Sequence, residues 1–480
     1  MKRRPAVGSA LCLTLGTLGL SLFSASGASG ATSGALSATD ALESTGPNVV
    51  VILADDMPTG VLDAMPTVSA EIGGKGITFE NGVIPTSVCC PSRASLLTGN
   101  YAHTTGVYTN QSDNYGAWPT FHAQGGEQST LATHLNDAGY YTGLIGKYMN
   151  SWTTDHPDGF IPPGWDVWAT VAPMTPDVDS AYYDYKFYGD FVDPDKYFGF
   201  APEDYSTRVL GRVTTRFIRG APPDMPLYLH FAPKAVHLPA EIEPKYEGTW
   251  PLEPGSNIPA LNERDVSDKP EWVQTHRRRA FQQREALTAV HEMARSLDDA
   301  VARILRALAD TGRLDNTIVV FLSDNGYLFG THRLVGKNVP YAASTDVPMM
   351  MRLPGTTEPS ISSRLTPQID LTRTIADLTG VGTDWAMDGR NIFDDGRTGT
   401  VLEQVAIGDG RQPAYCGYRT ARYLYVQYDI GEGAEFYDYA KDPEELSNKI
   451  DRERYASQIA ELRQKSLDAC TPTPPGFEWS

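Results

Sequence analysis

The segment Asn48-Val49-Val50-Val51-Ile52-Leu53-Ala54 gives the strongest indication of the fold, and two carboxylates, Asp55 and Asp56, follow it directly. A continuous β-branched stretch is too apolar for a half-exposed strand, so it predicts a central strand of a parallel sheet covered on both faces. Open α/β sheets bind ligands at the carboxyl ends of such strands. Adjacent carboxylates repel each other unless a cation lies between them, although Asp-Asp also marks solvated turns. We expect a metal site here.

A second predicted strand ends in the same way. The residues Thr317-Ile318-Val319-Val320-Phe321-Leu322 lead into Ser323-Asp324-Asn325-Gly326. The Asp324 carboxylate and the Asn325 amide oxygen are hard oxygen ligands of the kind that calcium or magnesium prefers, whereas zinc favours His and Cys. Two strand ends that carry oxygen ligands therefore predict one calcium- or magnesium-type site.

Other segments with strand or helix periodicity alternate along the chain, which indicates an α/β fold. Predicted strands cover 77–79, 141–148, 226–233 and 347–352, and predicted helices cover 66–73, 130–135, 280–310 and 369–380. Two Tyr-rich strands at 421–428 and 434–439 and a helix at 453–467 follow. We predict a catalytic domain at 45–384 and a smaller C-terminal α+β subdomain at 385–480. Residues 160–205 and 240–268 lack clear periodicity, and long loops of this kind often line a substrate site.

The segment Val88 to Gly99, VCCPSRASLLTG, places two cysteines and an arginine at a predicted helix start. Pro91 costs no hydrogen bond in a first helical turn. Free backbone N–H groups and the positive end of the helix dipole converge there, so a cysteine beside Arg93 is placed to handle an anion. The alternative is a structural pair of buried cysteines or a vicinal disulfide.

Four further polar residues follow predicted strands. Lys147 ends the strand at 141–148, His237 follows the strand at 226–233, and His332 and Lys337 lie in the loop after Asn325. A lysine at a strand end either binds an anion or is solvated. A histidine near a strand is more often packed or exposed than catalytic, but the position of His237 on the carboxyl-end side favours a function.

The N-terminus predicts export. A basic start, an apolar stretch at 6–23 and a run of small residues at 24–38 indicate a secretory signal peptide and linker at 1–38, without a stable membrane anchor. Removal of the signal leaves Cys416 and Cys470 as the predicted disulfide partners of an oxidising compartment. The net charge of -19 argues against nucleic acid as a partner, because nothing offsets phosphate repulsion.

Taken in order, these motifs resemble the formylglycine-dependent sulfatases of the alkaline-phosphatase-like superfamily, over essentially the whole mature chain. The motifs that carry the resemblance are Cys89 to Gly99, Gly146-Lys147, Ser323 to Gly326, Gly336-Lys337 ahead of Val347-Pro348, and the pattern from Leu424 to Asn448. The resemblance implies an α/β/α sandwich with a large mixed sheet and an enzyme that hydrolyses sulfate esters. It also implies that a formylglycine-generating enzyme oxidises Cys89 to an aldehyde.

The resemblance further implies a mechanism and residue roles. The hydrated aldehyde would attack sulfur, form a sulfated enzyme, and release sulfate by returning to the aldehyde. A divalent cation, calcium with magnesium as the alternative, would be held by Asp55, Asp56, Cys89, Asp324 and Asn325. Arg93 would steady this group, Lys147 and Lys337 would neutralise the sulfuryl oxygens, and His237 would protonate the leaving oxygen with His332 assisting.

One position departs from the family pattern. Many arylsulfatase relatives carry a histidine two residues after the lysine that corresponds to Lys147, and this chain has Met149 there. The segment Gly146 to Asn150 instead resembles the glucosamine-6-sulfatase and heparan endosulfatase branch, which favours a sulfated sugar of the glycosaminoglycan type. The base of the last step therefore stays open, with His103, which is also a candidate for substrate binding, and His332 as candidates.

Three other functions stay open at this point. The chain could be an arylsulfatase, or a phosphonate or phosphate ester hydrolase of the same superfamily. It could also be a carbohydrate-binding protein in which Cys89 is never converted.

Overall fold

The structure is a computed structural model that describes residues 46–480 except 113–114, 158, 175–180, 253–258, 278–279, 382–384 and 409–411, and the side chains of 280–282. The predicted signal peptide and linker at 1–38 lie outside the described residues. The described residues between 46 and 480 belong to one compact unit. The predicted boundary between residues 384 and 385 stays a prediction.

The strands of the described residues fall into three sheets. They are β1 Asn48–Ala54, β2 Ile77–Val83, β3 Tyr141–Gly146, β4 Val167–Pro173, β5 Tyr185–Tyr188, β6 Leu227–Ala232, β7 Thr317–Ser323, β8 Leu328–Phe329, β9 Val335–Gly336, β10 Met349–Arg352, β11 Ser360–Pro367, β12 Thr400–Gln404, β13 Tyr415–Arg419, β14 Tyr423–Tyr428 and β15 Ala434–Asp438. The large sheet has the order β11-β2-β10-β7-β1-β6-β3-β4-β5. The strands from β7 to β4 are parallel neighbours, whereas β10 and β5 are antiparallel to theirs, so the sheet is mixed as predicted.

The α-helices of the described residues include those that cover the two faces of this sheet. They are α1 Cys89–Thr98, α2 Ala102–Thr105, α3 Ala117–Ala123, α4 Leu131–Asp137, α5 Trp152–Asp155, α6 Ser206–Gly220, α7 Glu271–Gln274, α8 Ala280–Asp310, α9 Ala342–Thr345, α10 Ile369–Thr379 and α11 Ala456–Ala469. The predicted helix at 66–73 is a π-helix, Val68–Ile72, next to a 3₁₀ turn. Within the described ranges, no helix combines the length and apolar composition that crossing a bilayer requires.

Strand β1 shows why the sheet has helices on both faces. Its seven residues are all buried, and they alternate between two separate hydrophobic clusters. Val50 and Ile52 pack in the cluster that contains residues of α6 and α8, while Val49, Val51 and Leu53 pack in the cluster that contains residues of α4 and α10. Because successive side chains of a strand point to opposite faces, an all-apolar strand needs a layer on each side. The predicted α/β/α sandwich is therefore confirmed.

The segment 160–205 differs from its prediction as an irregular loop, because it contains β4 and β5. Both strands lie at one edge of the large sheet, where β5 pairs with the end of β4 and Tyr185 of β5 also forms a bridge with Phe198. The tyrosines and proline of this segment hide the period-2 signal that identifies a strand, so neighbouring strands, and not local pattern, determine its structure.

A four-stranded antiparallel sheet, β12-β13-β14-β15, follows near the C-terminus and is covered by α11. Two of its strands, β14 and β15, were predicted, and β12 and β13 were not. The structure contains a disulfide between Cys416 of β13 and Cys470, just after α11. The cysteines are therefore paired as the sequence predicts, and the bridge ties the final helix to the small sheet.

Candidate active site

The carboxyl edge of the parallel strands brings together the predicted site residues. Asp55 and Asp56 follow β1, Asp324 and Asn325 follow β7, and Lys147 follows β3. The backbone pairing continues past the strand ends, since Asp55 N–H donates to Ala235 O and Asp324 N–H donates to Ala54 O. Parallel strands end at one edge, so residues far apart in sequence become neighbours there.

Cys89 lies at the start of α1, with Val88 as the residue before the helix and Gly99 in the left-handed conformation after it. Its side chain is completely buried. The sulfur lies 3.5 Å from Asp55 Oδ1, 3.7 Å from Asp56 Oδ1 and 2.7 Å from Lys337 Nζ. The predicted nucleophile thus contacts both carboxylates and one cation at the positive end of a helix.

Each of the paired carboxylates has its own lysine. Lys147 Nζ lies 2.6 Å from Asp55 Oδ2, and Lys337 Nζ contacts Asp56 Oδ1. The chain turns from β3 into Lys147 at Gly146, which has a φ of 121°. A glycine is required there, because a Cβ would collide with the carbonyl oxygen of Ala232. The two lysines offset the repulsion between two buried anions.

Arg93 joins the two strand ends from α1. Its Nε and Nη2 lie 2.9 and 2.8 Å from Asp324 Oδ2, and its Nη1 donates to the carbonyl oxygen of Lys147 at 3.0 Å. Asp324 Oδ1 in turn accepts the backbone N–H of Asp56 at 3.1 Å. Arg93 therefore holds the carboxylates and the Lys147 backbone in one arrangement.

His237 is the histidine that reaches the carboxylate pair. Its Nε2 lies 3.5 Å from Asp56 Oδ2, and its side chain is 15% exposed. The preceding backbone is tied to the site because Val236 N–H donates to Asp55 O, and the Tyr182 hydroxyl lies 2.9 Å from the His237 carbonyl oxygen. Among the described His, Cys, Asp and Glu residues, Asp55, Asp56, Cys89 and His237 form a group whose ligand atoms lie within 4.8 Å of one another.

The charges of the site reflect these contacts. Burial alone would raise the pKa of Asp55, but Lys147, His237 and Arg93 outweigh it and hold the pKa well below its usual range. Burial raises the pKa of the Cys89 thiol to about 12, although the two lysines oppose this. In this arrangement the carboxylate is ionised at neutral pH and the unmodified thiol is protonated.

The residues present fit a divalent cation of the calcium or magnesium type. Asp55 and Asp56 offer carboxylate oxygens, and Asn325 donates from Nδ2 to Asp56 Oδ1 at 2.7 Å. The Asn325 Oδ1 atom is buried and has no hydrogen-bond partner among the described residues, which is costly for a polar atom unless a ligand or water satisfies it. Hard oxygen donors are the ligands that such cations prefer.

Two predicted histidines have their contacts elsewhere. His332 is fully buried, with Nδ1 at 2.6 Å from Glu263 Oε2 and Nε2 at 3.9 Å from Glu445 Oε2. His103, on α2, has Nδ1 at 2.9 Å from Glu403 Oε1. Their recorded polar contacts, within the part of the chain that the structure describes, do not include Cys89 or the two carboxylates. The partner glutamates were not predicted, because only the fold brings them to these histidines.

Cys90 and Met149 lie in the same hydrophobic cluster, which also contains Leu97 and Trp118. The backbone N–H of Cys90 donates to Asn110 Oδ1 at 2.8 Å. Cys90 is therefore a packed neighbour of Cys89. Met149 is 4% exposed and offers no group that accepts a proton.

Two cavities adjoin the lysines of the site. One of about 440 Å³ is lined by Lys147 and by residues of the segment 148–154 and the carboxyl half of β4. Another of about 330 Å³ is lined by Lys337 together with Trp272 and Val335. Volumes of this size are typical of sites for small ligands.

Comparison with solved structures identifies the fold. A protein solved in complex with its substrate D-glucosamine-2-N,6-O-disulfate has a TM-score of 0.70 and 21% identity, over 89% of this chain and 98% of that chain. The phosphonate monoester hydrolase of Agrobacterium radiobacter has a TM-score of 0.68 and 20% identity, over 89% and 96%. At these identities the likeness shows the fold alone, and it confirms the predicted alkaline-phosphatase-like architecture.

Sequence comparison identifies the family. The extracellular sulfatase SULF-1 homolog of Drosophila melanogaster is 31% identical over 72% of this chain and 31% of its own length. The N-acetylglucosamine-6-sulfatase of Homo sapiens is 30% identical over 72% of this chain and 64% of its own length. The chain thus spans about a third to two thirds of the length of these relatives, which represent the predicted branch. The family model described as Sulfatase matches residues 47–381, so the chain belongs to the sulfatase family.

Proposed function

We propose that this protein is a secreted sulfatase that hydrolyses sulfate esters of sugars and uses residue 89, converted to formylglycine, as its nucleophile. The observation that carries the proposal is the meeting of Lys337 Nζ, at 2.7 Å, and the carboxylates of Asp55 and Asp56, at 3.5 and 3.7 Å, on one sulfur atom at a helix start. A reactive atom surrounded by cations and metal-type ligands suits attack on an anionic ester.

The lysines have a defined task in this proposal. Attack on sulfur concentrates negative charge on the sulfuryl oxygens, and preorganised cations in a buried site stabilise such charge strongly. Lys147 contacts Asp55 and Lys337 contacts Asp56, and the two lysine side chains are 20% and 11% exposed. They are therefore held in place by the protein and still accessible to a bound ester.

The proposed chemistry also requires a divalent cation and the conversion of Cys89 to formylglycine. When bound, a divalent cation would polarise a sulfate oxygen, and formylglycine would supply a hydrated aldehyde as the nucleophile. Asp55, Asp56, Asp324 and Asn325, with the modified residue 89, are the proposed cation ligands, and calcium is the proposed ion with magnesium as the alternative. Arg93 orients Asp324 through its two contacts with Oδ2, and its positive charge opposes the rise in the Asp324 pKa that burial causes.

His237 is the proposed proton donor to the leaving oxygen. Its Nε2 faces Asp56 Oδ2 at 3.5 Å, and its partial exposure lets a substrate reach it. Having given its proton to the alcohol, Nε2 can accept the proton of the second hydroxyl during release of sulfate, which returns His237 to its starting state. The proton of the attacking hydroxyl goes to solvent, so one proton is released for each sulfate ester hydrolysed. This assignment supplies the base that Met149 cannot provide.

A sulfated sugar is the proposed substrate, of the N-acetylglucosamine 6-sulfate type. The relatives named as N-acetylglucosamine-6-sulfatase and extracellular sulfatase support this class. The cavity beside Lys147 supports it as well, because its volume of about 440 Å³ suits a small saccharide. Secretion and maturation by a formylglycine-generating enzyme follow from the predicted signal peptide and from Cys89.

Matched substrates test the proposed reaction. The rates kcat/KM would be measured for the sulfate and phosphate esters of one phenol, and then for sulfated monosaccharides and glycosaminoglycan fragments. We expect hydrolysis of the sulfate ester to dominate and one sugar sulfate to be preferred. A strong preference for the phosphate or phosphonate ester would contradict the proposal. It would indicate a phosphonate or phosphate ester hydrolase instead, an activity found in a protein of similar fold.

Mass spectrometry of the peptide that spans Cys89 tests the nucleophile. Protein produced together with a formylglycine-generating enzyme should contain the aldehyde at residue 89 and an intact thiol at residue 90. An unconverted thiol in fully active protein would rule out the formylglycine mechanism. An unconverted thiol in inactive protein that still binds sulfated sugars would support a binding function instead.

A further inference from the structure

The loop from Gly330 to Asn338, which carries Lys337, has an uncommon backbone. Three of its non-glycine residues have positive φ: His332 at 51°, Arg333 at 67° and Asn338 at 76°. This left-handed conformation costs free energy for a residue with a Cβ, and it persists only where the surrounding contacts enforce it. The contacts of His332 and Asn338 show how the loop is held.

One end of the loop is held by a buried ion-pair cluster. His332 has no exposed surface and lies between Glu263 and Glu445, at 2.6 and 3.9 Å from its two ring nitrogens. Burial alone would lower the pKa of His332, but the two glutamates outweigh it and raise the pKa. The backbone N–H of His332 also donates to Ala260 O at 2.9 Å, and Arg333 Nε donates to Glu263 O at 2.9 Å.

Glu445 connects this cluster to the C-terminal part of the chain. Its Oε2 accepts the backbone N–H of Ala342 at 3.0 Å, and its Oε1 accepts the Tyr439 hydroxyl at 2.8 Å. Glu445 has a positive φ of 53° itself. The loop, through His332, and the segment that follows it, through Ala342, are therefore joined to one carboxylate.

The other end of the loop is attached to the segment that carries the nucleophile. Asn338 N–H donates to Ser87 O at 3.2 Å, and the Ser87 hydroxyl donates to Val339 O at 3.3 Å. Ser87 lies two residues before Cys89, whose sulfur is 2.7 Å from Lys337 Nζ. A shift of the loop would therefore move Lys337 relative to residue 89.

We propose that His332 is a positioning residue that acts on the reaction through Lys337. Its contacts with Glu263 and Glu445 hold the strained loop so that Lys337 Nζ stays beside residue 89. This inference rests on the proposed function, because the position of Lys337 matters to turnover only if an anion is bound there. A positioning role replaces the role predicted from the sequence, in which His332 assists His237 in proton transfer. Both ring nitrogens of His332 face carboxylates, and its side chain has no accessible surface.

A double-mutant cycle tests the coupling. The variants are His332→Asn, Lys337→Met and both together, and asparagine is chosen because it adopts positive φ readily. With an aryl sulfate as substrate, His332→Asn should lower kcat about tenfold to a hundredfold with KM nearly unchanged, as expected for a misplaced catalytic group. In the Lys337→Met background the same change should have an effect below about twofold. An equal loss in both backgrounds would overturn the inference.

Hydrogen exchange tests the anchoring without using activity. His332→Asn should speed exchange of the peptide covering residues 328–341, whereas Lys337→Met should not. His291→Gln is a matched control, because it removes another buried histidine, on α8, whose Nδ1 donates to Leu287 O at 2.8 Å. If His332→Asn does not fold, Glu445→Gln should give the same pattern. Unchanged exchange in the folded variant would overturn the inference, and wild-type protein without sulfatase activity would overturn the proposed function alone.

Discussion

Replacing each of the two adjacent cysteines by alanine should separate stability from activity. Both side chains are completely buried and both lie in the first turn of α1. Only the Cys89 sulfur contacts charged groups, namely Lys337, Asp55 and Asp56. Cys90 packs against apolar side chains. The pair is therefore a matched experiment in which the polar substituent of Cβ is removed from two different environments.

The expected magnitudes follow from these environments. Removing one buried heavy atom costs about 1 kcal/mol, from the lost transfer free energy plus a small cavity. Both variants should therefore unfold within about 2 °C of the wild type in a chain of this size. Cys89→Ala should lose at least about 10⁴-fold in kcat, as expected for the loss of a nucleophile, while Cys90→Ala should stay within about threefold.

The assay compares kcat and KM for an aryl sulfate with the thermal midpoint from scanning calorimetry for the three proteins. Activity in Cys89→Ala together with inactivity in Cys90→Ala would show that Cys90 is the nucleophile. Inactivity of both variants with unchanged thermal midpoints would show that the packing of Cys90 controls the site, and that the contacts of Cys89 alone do not explain catalysis.

Three other predictions concern the metal, a histidine and the disulfide. Exhaustive chelation should abolish turnover and added Ca²⁺ or Mg²⁺ should restore it, so full activity of the chelated protein would contradict the metal site. His103→Gln should cost about 3 kcal/mol because it removes the ionisable partner of the buried Glu403 carboxylate, which keeps the backbone N–H of residue 103 as a donor. Since Glu403 raises the pKa of His103 above the unfolded value of 6.5, this difference should be full below pH 6.5 and shrink as pH rises, which urea unfolding at several pH values would measure. Replacing Cys416 and Cys470 by alanine should cost roughly 4 kcal/mol in urea unfolding, given the separation of 54 residues, and leave kcat unchanged.

The local sequence pattern was sufficient to predict the central strands and the polar residues that follow them. The strand at 48–54 has the predicted bounds, and the helix at 280–310 agrees to the residue. Both are long and strongly patterned, so neighbouring structure does not change their conformation. The strands β4, β5, β12 and β13 were missed because their residues become strands only by pairing with others.

Local sequence pattern alone shows that carboxylates, a cysteine, lysines and a histidine follow apolar strands in the order of the sulfatase family. The tertiary structure decided which of the histidines joins them. His237 reaches Asp56, whereas His103 pairs with a glutamate 300 residues away and His332 with one 69 residues away. The physical reason is that a strand and its end are encoded locally by apolar side chains, while the partner of a buried charge depends on which distant segment the packed fold brings within a few ångströms.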